Sequence, residues 1–280
     1  MKLTKTHLKY LLTGLLFTVI VQNNSYAGGF PVRPRKLLLS PSMSFFTASR
    51  SWDSLRRNAP FAANGRFTSF SYSLYAEYGL TRRFTLVALL PYVINNYEDD
   101  VNKTLYQGPT DLEVGLRYYI ANINYIYYFT VQGTFITPLY NEPNLGYMEN
   151  GAEVKFSFAG SGKVLSKNYY FTVENAVRQY FGTQGPTQDR YNGSFGLTLD
   201  RKFKHQLSVS AGGSYSTSSF TAFSPIQATN KNFSFTQASV SYGYTFGKGF
   251  SVFLTAGKFL TGRNTGDGKS ASVAFIIKPW

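Results

Sequence analysis

Apolar and polar residues alternate along most of the chain beyond residue 36. In the stretch Phe67 to Asn96, Phe70, Tyr72, Leu74, Ala76 and Tyr78 fall on one parity, and Ser69, Ser71, Ser73, Tyr75 and Glu77 on the other. Side chains on a strand point to opposite faces with a period of two, so this arm has one oily and one wet face. The polar turn Gly79-Leu80-Thr81-Arg82 reverses the chain into Phe84 to Ile94, which is apolar on both parities and whose facing cannot be read. The pattern recurs downstream. Leu112, Val114, Leu116, Tyr118 and Ile120 oppose Asp111, Glu113, Gly115, Arg117 and Tyr119. Ala152, Val154, Phe156 and Phe158 oppose Glu153, Lys155 and Ser157, and Phe171, Val173 and Val177 oppose Glu174 and Arg178. Leu207, Val209, Ala211 and Tyr215 then oppose Gln206, Ser208, Ser210 and Ser214.

About twelve such strands are expected, ten and fourteen being the alternatives, each near the ~9–11 residues that a tilted membrane strand needs. Alternation alone also suits a soluble antiparallel sandwich. The connections separate the two. Long loops are expected at Arg50 to Gly65, Tyr97 to Gly108, Asn141 to Asn150, Thr183 to Asp189, Ser218 to Lys231 and Gly262 to Gly268. The intervening turns are short, as at Asn122 to Asn124 and Gly247 to Gly249. Long external loops, short periplasmic turns and an even strand number characterise bacterial outer-membrane barrels. Pro41 inside the first strand marks an irregular or seam position.

The N-terminus adds export to this picture. Lys2, Lys5 and Lys9 precede an apolar run, Leu11 to Val21, and Ser25-Tyr26-Ala27 forms a small-x-small cleavage site. Residues 1–27 are therefore expected to be a cleaved signal peptide, and 28–280 an outer-membrane β-barrel. There is no cysteine, and a closed barrel gains its stability from a complete ring of inter-strand hydrogen bonds instead. The 25 phenylalanines and 22 tyrosines suit aromatic girdles at the two membrane interfaces. Trp280 supplies a C-terminal aromatic for the barrel-assembly machinery, although Lys278 and Pro279 interrupt the terminal alternation. The formal net charge of +14 falls by three, to +11, without the leader lysines. In an exported chain with scattered basic residues this points away from nucleic acid, and toward anionic headgroups, an anionic solute, or plain solubility and interface anchoring.

Candidate chemistry is sparse. The histidines are His7, in the leader, and His205, at an expected periplasmic turn, so a serine–histidine nucleophile has little to draw on. Glu98-Asp99-Asp100 matches no metal-ligand spacing and reads as a solvated acidic loop. No catalytic, metal or cofactor site is expected, and the chain is not read as an enzyme. The candidate functional residues are charged and on the wet parity: Glu77, Glu113, Arg117, Glu153, Lys155, Glu174 and Arg178. They are expected to line the lumen, where they either select a solute or form a salt-bridged network that fills and stabilises the barrel.

Two phrases carry a family resemblance. Tyr78-Gly79-Leu80-Thr81-Arg82-Arg83 and the set Gly108, Asp111, Leu112, Gly115 and Arg117 are similar to the recurring turn and strand motifs of the phenol-degradation MetA-pathway family, also called outer-membrane transporter-like proteins. Arg82 stands where that family usually has an acidic residue. The clear likeness covers Tyr75 to Ile120; elsewhere only the pattern is alike. The resemblance implies an outer-membrane barrel that passes small, including hydrophobic, molecules, and it supplies no catalytic residues. The expected architecture is thus all-β, an antiparallel up-and-down transmembrane barrel in the outer membrane. Its expected partners are outer-membrane lipids, an unidentified small-molecule solute and, during biogenesis, the barrel-assembly machinery. Its expected function is a passive channel, with a non-conducting surface-binding or structural barrel as the alternative.

Overall fold

The computed structural model describes residues 30, 32–164, 167–200, 202, 204–222, 230–247 and 249–279. The expected leader, 1–27, and Trp280 lie outside the described residues. Twelve long strands form the wall. In chain order these are β1 (Leu37–Trp52), β3 (Arg66–Gly79), β4 (Phe84–Glu98), β6 (Asp111–Ile123), β7 (Tyr127–Pro138), β8 (Gly151–Val164), β9 (Lys167–Tyr180), β10 (Thr187–Thr198), β11 (His205–Thr217), β12 (Phe233–Gly247), β13 (Phe250–Arg263) and β14 (Thr265–Ile277). Two shorter strands, β2 (Asn58–Pro60) and β5 (Lys103–Pro109), extend the edges of β1 and β4. Each wall strand pairs antiparallel with its neighbours, and β14 returns to β1 from Leu39↔Ile277 to Trp52↔Thr265. The sheet therefore has no open edge, the condition under which strands can cross a membrane.

The closing seam holds Pro41. Proline brings no N–H to the ladder, and pairing lapses there, between Leu39↔Ile277 and Ser42↔Ala274. The Ser40 hydroxyl donates instead to the Phe275 carbonyl at 2.7 Å. A second irregularity lies at Pro91. β4 pairs with β6 up to Leu89↔Glu113 and with β5 from Tyr92↔Pro109 onward. The kink between β5 and β6 is closed by Thr110 N–H donating to the Pro91 carbonyl at 3.1 Å.

The alternation reads inside out relative to a soluble protein. The apolar parity faces outward: Val154, Phe156 and Leu254 are 48%, 58% and 57% exposed. The polar parity faces inward, with Glu77 and Arg117 only 2% and 1% exposed. Outward aromatic residues gather toward both strand ends. Tyr78, Phe84, Tyr242 and Phe250 are exposed at one, and Phe70, Phe135, Phe181 and Tyr215 toward the other. An apolar outer belt between two aromatic girdles is the surface a bilayer requires, and the chain is an outer-membrane-type transmembrane barrel. β4 is unreadable by parity because its inner face is also apolar, through Val87 and Leu89, while Leu86 and Leu90 face out.

Both ends of the described wall, at β1 and β14, lie on the side of the short turns, the periplasmic side of such barrels. Asn124 and Tyr125 both have positive φ, 52° and 56°, the pair that a two-residue hairpin turn demands. In the β3–β4 turn the Thr81 hydroxyl accepts the N–H groups of Arg83 and Phe84 at 3.1 and 3.0 Å. Asp200 does the same for Lys202 and His205 at 3.1 and 2.8 Å. These backbone donors, led by that of His205, hold its carboxyl below the usual carboxylate range.

Two expected long loops are instead largely structured. Tyr97 to Gly108 is a strand hairpin with only Asp99 to Asn102 at its tip, because the alternation runs on through Thr104 and Tyr106. Asp99 seats that tip by accepting the N–H groups of Val101 and Asn102, which keep its carboxyl below the ordinary range. The segment Gly262 to Gly268 is strand on both sides of Asn264, whose φ of 49° makes the turn. Asparagine tolerates that left-handed conformation better than most residues.

Candidate functional site

The inner wall differs from one side to the other. Around β3, β6 and β7, Arg117 donates to Glu77 at 2.8 Å, to the Tyr75 hydroxyl at 2.9 Å and to Gln132 at 3.1 Å. Tyr75 passes its own proton donation on to Glu77, and Gln132 donates to Thr134 at 3.0 Å. Toward the external end of β6, β8, β9 and β10 a second group forms. Arg178 donates to Glu153 at 2.8 Å and to Glu113 at 2.7 Å. Arg190 donates to the same Glu153 oxygen at 2.8 Å. The Tyr180 hydroxyl links this group to Asp111 at 3.0 Å. Between the two groups Lys155 lies 3.9 Å from Glu174, which also accepts from Ser157 at 3.1 Å.

The seven charged residues singled out from the sequence thus fall into three groups: Glu77 with Arg117, Glu113 and Glu153 with Arg178, and Lys155 with Glu174. Among the ion-paired residues themselves cations and anions balance in each group, once Arg190 is counted with Glu113, Glu153 and Arg178; Asp111 joins the second group only through the Tyr180 hydroxyl. Such pairing offsets the cost of burying charge and leaves little net field for a passing ion. Sequence reasoning missed Arg190. Its parity, shared with Asn192 and Ser194, was the available signal.

On the opposite side, β1, β3 and β10–β14 present hydroxyls. Ser42 pairs with Ser73 at 2.7 Å and Ser210 with Ser239 at 2.6 Å. Thr255 donates to Ser241 at 2.8 Å, and Thr245 pairs with Ser251 at 2.9 Å. These short side chains leave a cavity of about 790 Å³. It reaches from Phe46, Phe235 and Phe259 near the external end to Ser251 and Lys278 at the periplasmic end. Among the described residues, Glu174 is the one member of the seven that borders it.

The external end of this cavity is narrowed by aromatic rings. Phe235 and Phe259 stack at 4.5 Å and 8°, Phe46 sits 5.3 Å from Phe259, and Trp52 completes the buried cluster. Gly268 and Gly262 make room for it: a Cβ at either would meet the ring of Phe46 at 1.9 Å or of Trp52 at 2.4 Å. The loop between β7 and β8 folds inward on the charged side. The Tyr147 hydroxyl donates to the Asn230 carbonyl at 2.7 Å, Lys231 pairs with Glu149 at 3.1 Å, and the Tyr140 hydroxyl accepts Met148 N–H at 3.2 Å. Burial pushes the Tyr140 and Tyr147 hydroxyls well above the usual phenol range, so both stay protonated.

His205 takes no part in the interior. Its ring Nδ1 lies 2.6 Å from the Tyr242 hydroxyl, and both residues share the outward parity of Leu207 and Val240. Glu98 pairs with Lys103 at 3.1 Å. Among the described residues no group of three or more His, Cys, Asp or Glu side chains could hold a metal ion.

No family model matches the chain, and neither does any curated protein. Solved structures do. An outer membrane channel from Pseudomonas putida F1 superposes with a TM-score of 0.64 at 13% identity, over 92% of this chain and 100% of that one. The translocator domain of the autotransporter NalP from Neisseria meningitidis gives a TM-score of 0.51 at 12% identity, over 97% of this chain and 96% of that one. At such identities the likeness is one of fold, and the fold is a closed antiparallel β-barrel of the outer-membrane type.

Proposed function

We propose that the chain is a passive channel for small, uncharged molecules, hydrophobic ones included. The observation that carries this reading is the cavity along the serine-bearing side, continuous over most of the strand length. Hydroxyls that already pair with one another offer a neutral surface which can donate or accept, and the phenylalanines at the external end favour solutes with an apolar face. Glu77, Glu113, Arg117, Glu153, Lys155 and Arg178 line the other side of the lumen and act as its scaffold, with Glu174 at the edge between the two sides. On this reading residues 1–27 are a cleaved leader, the barrel-assembly machinery inserts 28–280, and the protein carries out no reaction. A place among the phenol-degradation MetA-pathway barrels fits the motifs at Tyr78 to Arg83 and Gly108 to Arg117.

Proteoliposome swelling tests the proposal. Vesicles holding folded protein, verified by its shift on boiling before gel electrophoresis, swell faster than empty vesicles in small neutral solutes. Folded protein without any swelling overturns the channel. That outcome favours the second reading, a non-conducting surface-binding or structural barrel, to which the stacked rings and inward loop at the external mouth lend support.

A further inference from the structure

The strongest charge asymmetry in the molecule is at the periplasmic rim. Arg82 and Arg83 occupy the β3–β4 turn, Lys163 and Lys167 flank the β8–β9 turn, and Lys202 and Lys204 occupy the β10–β11 turn. Arg33, Arg35 and Lys36 precede β1, and Lys278 follows β14. All ten are exposed, and Asp200 is the one acidic residue in the described turns at this end, Glu77 being buried in the lumen above and paired with Arg117. Among the described residues none of the ten forms an ion pair. The external side is mixed: Arg57 pairs with Asp53, Lys103 with Glu98 and Lys231 with Glu149.

Geometry decides what such a rim can bind. Among the ten, only Lys278 borders the cavity, so the charge is not directed at a solute in the lumen. Two of the others are held against the outer wall: Arg83 donates to the outward Tyr118 hydroxyl at 3.2 Å, and Lys167 to the carbonyl of outward Leu199. The bases come from turns spaced around the barrel rather than from one side, and a single protein partner would need a one-sided patch. They lie directly beyond the exposed ring of Tyr78, Phe84, Tyr242 and Phe250, the level at which bilayer headgroups sit.

We propose that this rim is a binding ring for the anionic phospholipid headgroups of the periplasmic leaflet. Each base near the surface contributes electrostatic attraction, and the adjoining aromatic rings fix the depth. The inference is independent of whether the lumen conducts.

The test uses purified, delipidated full-length barrel titrated with phosphatidylglycerol or phosphatidylcholine, bound lipids being counted by native mass spectrometry. Wild type is expected to prefer phosphatidylglycerol by roughly ten-fold, and the variant with Arg82→Gln, Arg83→Gln, Lys202→Gln and Lys204→Gln to lose at least about three-fold of that preference. Raising salt from about 0.05 to 0.5 M is expected to weaken the wild-type preference as well, which keeps the test informative if the variant fails to fold. A control with Arg56→Gln and Arg57→Gln on the external side keeps the full preference. Equal retention of both lipids by wild type, or an undiminished preference in the folded rim variant, overturns the proposal. So does tight binding of a soluble polyglutamate peptide without preference between the two lipids, which would mark the rim as a site for an acidic soluble partner.

Discussion

Two sides of one lumen are built from the same period-two alternation and come out physically opposite. Along β6, β8 and β9 the inward positions carry long charged side chains that reach one another and close the space. Along β11 to β14 and β1 they carry serine, threonine and glycine, which leave it open. Side-chain length and charge, not backbone, make the difference. A guanidinium buried beside a carboxylate must stay paired, so it is fixed in place. A serine hydroxyl is satisfied by its cross-strand neighbour at little cost and leaves volume beside it. The comparison teaches that the conspicuous charges of this barrel are locked into pairs, and that its plainest residues border the cavity.

That contrast can be broken deliberately. The largest expected loss of stability is from Arg117→Ala, which strands Glu77 at 2% exposure. It is expected to cost about 3–5 kcal/mol in denaturant unfolding from detergent micelles. The double change Glu77→Gln with Arg117→Gln is expected to cost clearly less, because no unpaired charge remains. Arg178→Ala comes next, at about 2–3 kcal/mol, since Glu153 keeps Arg190 as partner while Glu113 loses its guanidinium. Phe259→Ala on the open side removes a stacked ring. It is expected to cost about 1–3 kcal/mol, less than in a fully enclosed core, and to raise the swelling rate for small neutral solutes. The smallest effect is expected from Lys103→Ala, which opens the solvent-exposed pair with Glu98 at the base of the β4–β5 hairpin tip. Its stability change should stay below about 1 kcal/mol by the same unfolding measurement.

Much of this was legible in the alternation. The facing of β3, β6, β8 and β9 follows from parity, and the short turns at Thr81 and Asn124 are where polar residues break it. Pro41 marked the seam because a residue without N–H is tolerated best where pairing is interrupted. Boundaries were less legible. Hydrophilic residues such as Lys103, Thr104 and Gln107 read as loop, yet they form β5, because a strand that extends above the membrane needs no apolar face. The candidate charges could be listed but not partnered. Glu77 and Arg117 lie 40 positions apart, and register across β3, β4 and β6 brings them together. The cavity could not be foreseen at all, since serine on the wet parity looks the same whether it borders packed side chains or open space.

The division of the lumen is tested most directly by swelling rates of two variants, each normalised to folded, heat-modifiable protein. Ser272→Trp places a large side chain in the open side, and Arg117→Ala removes a charge from the closed side. The predicted result is several-fold slower entry of a small neutral solute through Ser272→Trp, with the rate through Arg117→Ala close to wild type. Unchanged entry through Ser272→Trp, together with a marked change through Arg117→Ala, would contradict the account.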